Sequence, residues 1–213
     1  MALSKADVNN INVTAVASKA IQWNSAADGF EAGDLGGSMV LLSTLTASSS
    51  ATLSFTSSID STYDSYLFKF INIHPETDQK KFMFQGTTDG SNFNTTMTTS
   101  WFQAYHDEAD ENTTLSYIAG EDQAQGTAFQ SLCEDLGNDA DQNFCGELQI
   151  FNPSSTTFVK HFTAKGNETY FSNYSNNAYV AGYFNTTSAM TGLQFKMESG
   201  DIDAGVIKMY GIT

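Results

Sequence analysis

Leu193-Gln-Phe-Lys-Met197 alternates apolar and polar residues, Glu198-Ser-Gly-Asp-Ile-Asp-Ala-Gly205 supplies turn chemistry, and Val206-Ile-Lys-Met-Tyr210 alternates again before Gly211-Ile-Thr213. A period of two marks a strand with one face in a core and the other in water. The stretch therefore predicts a closing β-hairpin. Phe195 and Met209 turn into the core, and Gln194, Lys196 and Lys208 turn outward.

The same signals recur upstream. Residues 39–46 and 51–56 flank Ala47-Ser-Ser-Ser50 and predict another hairpin. Residues 65–73 are almost continuously apolar, interrupted by Lys69 and Asn72, which suits a central strand buried on both faces. That run stops at His74-Pro75, where proline removes a ladder donor. Residues 81–87 place Phe82 and Phe84 on one face and lead into Thr88-Asp-Gly-Ser91, a tight-turn signal. Further strands are predicted over residues 100–106, 128–132, 147–151, 157–164 and 177–184, with a turn at Asn152-Pro-Ser-Ser155. Residues 107–142 otherwise read as a long polar loop region, a length that usually marks function or disorder. No helical period and no fixed-period repeat emerge, so the fold expected is an all-β, antiparallel, jelly-roll-like β-sandwich over residues 38–213. Residues 1–37, small, polar and glycine-rich late on, carry short β-prone runs at residues 11–14 and 20–23 and read as an arm or first edge element that ends in a flexible joint at Gly36-Gly37 and pairs with a neighbouring subunit.

At 213 residues the chain suits one such domain. Its 24 acidic residues outnumber nine basic ones, for a net charge of -15, and every basic residue is lysine. Without arginine there is no bidentate capture of phosphate or guanine edges, which argues against nucleic-acid binding. The same charge repels anionic membranes. The first residues carry no apolar core of a signal peptide, and no apolar run approaches a membrane span. The expectation is synthesis in the cytoplasm and no membrane insertion.

Few residues suggest chemistry. Three histidines are too few for most metal or catalytic schemes, and His161, inside a strand, reads as a packing residue. No nucleophile elbow, phosphate loop or zinc motif occurs. Asp139, Asp141 and Asn143 match the opening of a calcium loop, but Phe144 stands where its glycine belongs and Ile150 where its glutamate belongs. They are kept as candidate calcium ligands, against solvated loop charge; other acids of the region, such as Asp107 or Glu134, could contribute to a different site. No other cofactor is expected. Cys133 and Cys145 are either two reduced thiols, the intracellular default, or a loop-closing disulfide formed later in oxidising surroundings. Tyr170, Tyr174, Tyr179 and Tyr183 sit among asparagines and serines, a composition that suits a recognition surface and equally a sheet face packed on another subunit.

One resemblance extends this reading. Met39-Val-Leu-Leu-Ser-Thr-Leu-Thr-Ala-Ser-Ser-Ser50, Asp60-Ser-Thr-Tyr-Asp64 with Tyr66-Leu-Phe-Lys-Phe-Ile-Asn-Ile-His-Pro75, Phe84-Gln-Gly-Thr-Thr-Asp-Gly90, Phe151-Asn-Pro-Ser-Ser-Thr-Thr157, Gly182-Tyr-Phe-Asn-Thr-Thr-Ser188 and Ile207-Lys-Met-Tyr-Gly-Ile212 together resemble virion structural proteins of tailed bacteriophages, particularly marine ones. The resemblance spans residues 38–213 and transfers no catalytic residues. It implies a non-enzymatic particle component located in the virion, of tail-fibre or tail-appendage type, acting in assembly or host attachment. A capsid decoration or head-fibre protein is the second possibility. A carbohydrate-active depolymerase domain is the third, and it requires a groove with two carboxylates. Implied partners are other virion proteins through the arm, further copies in a homo-oligomer such as a trimer, and a host-surface glycan or protein facing residues 107–142 and 167–184.

Overall fold

The computed structural model describes residues 19–23, 26, 28–34 and 39–213, and these form strands, turns and loops with no helix. The chain divides into two units, at Ser38 and Met39.

In the first unit β1 (Lys19–Trp23) pairs antiparallel with β2 (Phe30–Asp34). Trp23 stacks on Phe30 with ring centroids 4.5 Å apart, and Gln22 donates to Glu31 at 3.3 Å. The β-prone run at residues 20–23 is thus a strand. The run at residues 11–14 and the joint at Gly36-Gly37 lie outside the described residues.

The second unit is a sandwich of an eight-stranded and a four-stranded antiparallel sheet. Its strands are β3 (Met39–Ser50), β4 (Leu53–Phe55), β5 (Ser65–Pro75), β6 (Phe82–Thr87), β7 (Met97–Asp107), β8 (Thr113–Tyr117), β9 (Gln130–Ser131), β10 (Phe144–Phe151), β11 (Lys160–Tyr170), β12 (Tyr174–Phe184), β13 (Gly192–Met197) and β14 (Ile202–Ile212). The small sheet runs β4-β13-β6-β9 and the large one β3-β14-β5-β10-β11-β12-β7-β8. Without β3, β11, β12 and β14, this is the strand order of a jelly roll, in which successive strands step between the two sheets. The β11–β12 hairpin widens the large sheet between β10 and β7, and β14 with β3 extends it beyond β5.

The core lies between the sheets and is largely aromatic. Phe195 on β13 meets Phe55, Phe68, Phe70, Phe82 and Phe84 with centroids 5.3–6.4 Å apart, most of them edge-on or tilted, the geometry that aromatic quadrupoles favour. Phe144, Phe162 and Phe184 carry this layer across the large sheet. Phe195 and Met209 are both fully buried. β5 is central, flanked by β14 and β10, as its apolar run predicts, but it is buried on both faces only over Ser65–Phe68: Ile71 and Asn72 are exposed.

Three sequence expectations are corrected. The closing strands do not form a hairpin: β13 pairs with β4 and β6, while β14 pairs with β3 and β5. Glu198-Ser-Gly-Asp201 therefore carries the chain from one sheet to the other. β3 and β4 are likewise in different sheets, and Ala47-Ser-Ser-Ser50 is not a turn but the end of β3. Alternation reports which face of a strand is buried; it does not report the partner. Finally, residues 107–142 are not simply an exposed loop. Besides β9, which falls within the strand expected over residues 128–132, they contain β8, and Leu132, Cys133 and Leu136 are buried in the core.

Candidate functional site

The four tyrosines separate by strand parity. On β12, Asn176, Ala178, Val180 and Phe184 face the core, so Tyr174 shares the inner face while Tyr179 and Tyr183 stand on the outer one. Tyr170 is paired with Tyr174 in register and is inward too. The sequence cluster is therefore two sites on opposite faces of the large sheet.

The inner site lies at one end of the sheet. Tyr174 stacks on Tyr105 and on Tyr170, with centroids at 5.2 Å and 5.6 Å. These rings, Glu134 and Asn176 line a cavity of about 230 Å³. Beside it Glu168 is fully buried; its carboxyl accepts the Glu134 backbone N–H at 3.0 Å and the Asn176 amide at 2.7 Å. Burial pushes the Glu168 carboxyl up to about 7. Burial also raises Glu134, and the neighbouring Asp135 adds to it. Tyr170 donates to Asp135 at 3.0 Å and is itself raised by burial and by that carboxylate. A glycosidase needs two carboxyls whose environments split their pKa values, one held as acid and one ionised. Here Glu134 lines the cavity, whereas Glu168 is buried beside it. What the arrangement does is pin residues 133–136 to the sheet through a carboxyl able to hold a proton at neutral pH.

The outer site is built from one register row. Lys69, Glu147, Lys165, Tyr179, Phe102 and Tyr117 are successive partners across β5, β10, β11, β12, β7 and β8. Half of the row is charged and half aromatic. Glu147 takes Lys69 on one oxygen and Lys165 on the other, the latter at 3.1 Å; hydrogen bonds from these two lysines lower its pKa. Tyr179 and Phe102 stack with centroids 4.9 Å apart and planes 8° from parallel. Glu147, Lys165, Tyr179 and Phe102, together with Gln149, Thr163 and Ala181, line an open hollow of about 320 Å³. A second hollow of about 420 Å³ shares Thr163 and Ala181 and reaches Tyr183 and His161, whose rings lie 5.8 Å apart. His161 is thus the cross-strand packing residue that its strand position predicts. Gln149, Glu147, Lys165 and Phe102 escape sequence reading as site residues because register brings them together, although each carries the outward parity of its strand.

The calcium candidates lie around a turn closed by its own hydrogen bonds. Asp139 N–H donates to Gln142 Oε1 at 3.1 Å and Gln142 N–H donates back to the Asp139 carbonyl at 2.9 Å, while Asn143 Oδ1 lies 3.5 Å from Cys145 Sγ. Asp141 is exposed. Among the described residues, no group of three or more His, Cys, Asp or Glu side chains could hold a metal ion. Asp107 instead caps its own turn, accepting from the Glu111 N–H at 2.9 Å and the Asn112 amide at 2.6 Å. The two cysteines are unbridged: Cys133 is buried inside the sandwich and Cys145 is exposed on β10. Comparison with protein-family models, with curated proteins and with solved structures found no match.

Proposed function

We propose that this protein is a structural component of a tailed-phage virion, of the tail-fibre or appendage type, which assembles with further copies and with other particle proteins. The observation that carries this reading lies at the edges of the large sheet. Among the described residues, β3 pairs only with β14 and β8 only with β7. Both edges display apolar side chains: Met39, Val40 and Leu41 on β3 are exposed in succession, and Leu115 on β8 is 75% exposed beside Tyr117. Natural proteins blunt exposed sheet edges with charge, proline or short strands, because an apolar edge invites pairing with another chain. Edges of this composition suit contacts made in an assembly. The sequence resemblance to virion proteins and the jelly-roll body support the same reading.

Mass spectrometry of purified particles tests it, with the protein expected among the stoichiometric components. Its absence from particles that carry every other structural protein would sink the reading. Copy number then separates the tail from the capsid: about tens of copies or fewer indicate a tail position, and roughly hundreds indicate decoration of a closed shell.

A further inference from the structure

We propose that the outer face of the large sheet binds a neutral, linear glycan in a trough that runs across β7, β12, β11 and β10. This goes beyond placement in a particle and depends only on the sandwich. The floor is the register row Ser100, Ala181, Thr163 and Gln149, built of small and hydroxyl- or amide-bearing side chains. Two residues away along the strands, one ridge is the Phe102–Tyr179 stack continued by Lys165 and Glu147. Two residues the other way, the second ridge is Thr98, Tyr183 and His161. The ridges are four residues apart, about 13 Å between backbones at the usual rise per residue. The floor crosses four strands, about 14 Å at the usual strand spacing, which accommodates roughly three pyranose rings in line. The two hollows share Thr163 and Ala181, so the trough is continuous over this row.

The chemistry of the walls selects the occupant. A pyranose presents apolar C–H faces, which pack on an aromatic wall, and a rim of hydroxyls, which both donate and accept. Tyr179 with Phe102 supplies the wall; Gln149, Thr163, Ser100 and Glu147 supply donors and acceptors. Gln149 is already oriented, its amide donating to Ser65 at 2.9 Å. Glu147 is held between Lys69 and Lys165, so its carboxylate is already paired within the row and one lysine charge remains in excess. The net charge of -15 opposes an acidic polysaccharide. A polar floor disfavours a dry interface between copies.

The test is calorimetry and saturation-transfer NMR on the whole protein with a panel of neutral linear hexasaccharides (β-1,4-linked glucan, xylan and mannan fragments), and with alginate fragments as the acidic comparison. At least one neutral oligosaccharide is expected to bind more tightly than the acidic ones. Tyr179→Ala should weaken it at least tenfold and Gln149→Ala severalfold, with unchanged circular dichroism. Failure of every neutral fragment at millimolar concentration overturns the proposal. So does binding that survives both substitutions, or a wild-type dimer in sedimentation velocity that Tyr179→Ala dissociates.

Discussion

Glu168 accepts the backbone N–H of Glu134 at 3.0 Å from a fully buried position, so one carboxyl on β11 holds the segment that enters the core at Leu132 and Cys133. Burial raises its pKa to about 7, from an ordinary value of 4.5. The unfolded chain releases this proton first, so stability falls as pH rises from about 4.5 to about 7 and then levels off. The full effect is about 3 kcal/mol at 1.36 kcal/mol per pKa unit. Glu168→Gln keeps an acceptor for Glu134 and cannot ionise. Urea denaturation at several pH values is expected to show a smaller slope for the variant, and a more stable variant at pH 8. Glu134, raised in the same direction, leaves a residual slope. Identical slopes in the two proteins would refute the assignment.

Phe195 joins five other phenylalanine rings between the sheets. Truncation to alanine leaves a cavity that neighbours from both sheets cannot close together. Phe195→Ala should cost about 3–5 kcal/mol. Phe158, which is 69% exposed, is the contrasting case, and Phe158→Ala should change the urea midpoint little.

Gly205 has φ of +127° in β14, where the register with β5 shifts. A Cβ there would meet the Asn72 carbonyl oxygen at 2.7 Å and Ile73 Cα at 2.8 Å. Only glycine fits both the conformation and the approach of the neighbouring backbone. Gly205→Ala is expected to lower stability by about 2 kcal/mol or more. Thermal melting measures this; a melting temperature within a degree of wild type would mean that the bulge relaxes without strain.

Most strands and their facing were legible in the chain, although β8 lay hidden in a polar stretch; partnership was not legible. Phe82, Phe84, Phe195 and Met209 are core residues, as alternation implies. Yet the segment joining Met197 to Ile202 has the composition of a hairpin turn and instead changes sheets, because turn residues specify a reversal and leave the partner open. Tyr174 and Tyr179 are five positions apart, an odd spacing that already places them on opposite faces of one strand. The neighbourhood of Tyr179 is another matter: Phe102 lies 77 positions earlier in sequence and Glu147 is two strands away, so only the register of β7, β10, β11 and β12 assembles them. Glu168 was equally hidden, since its outer-surface composition gives no sign that its parity is that of Phe162 and Ala164.

Cys133 and Cys145 face opposite environments, and this separates their reactivity. Cys133 is fully buried, its thiol receives the Phe82 N–H at 3.1 Å, and burial together with the Glu168 carboxyl pushes its pKa well up. A thiol so held has almost no thiolate at neutral pH and no path for a reagent. Cys145 is exposed on the outer face, with Asn72 and Asn143 around its sulfur. A disulfide-exchange reagent at pH 8 is therefore expected to titrate one thiol in the folded protein within minutes and the second only on unfolding in denaturant. Peptide mapping should place the early label on Cys145. Two thiols of equal rate, or none in protein prepared without reductant, would contradict the placement of these side chains, the latter by revealing a bridge.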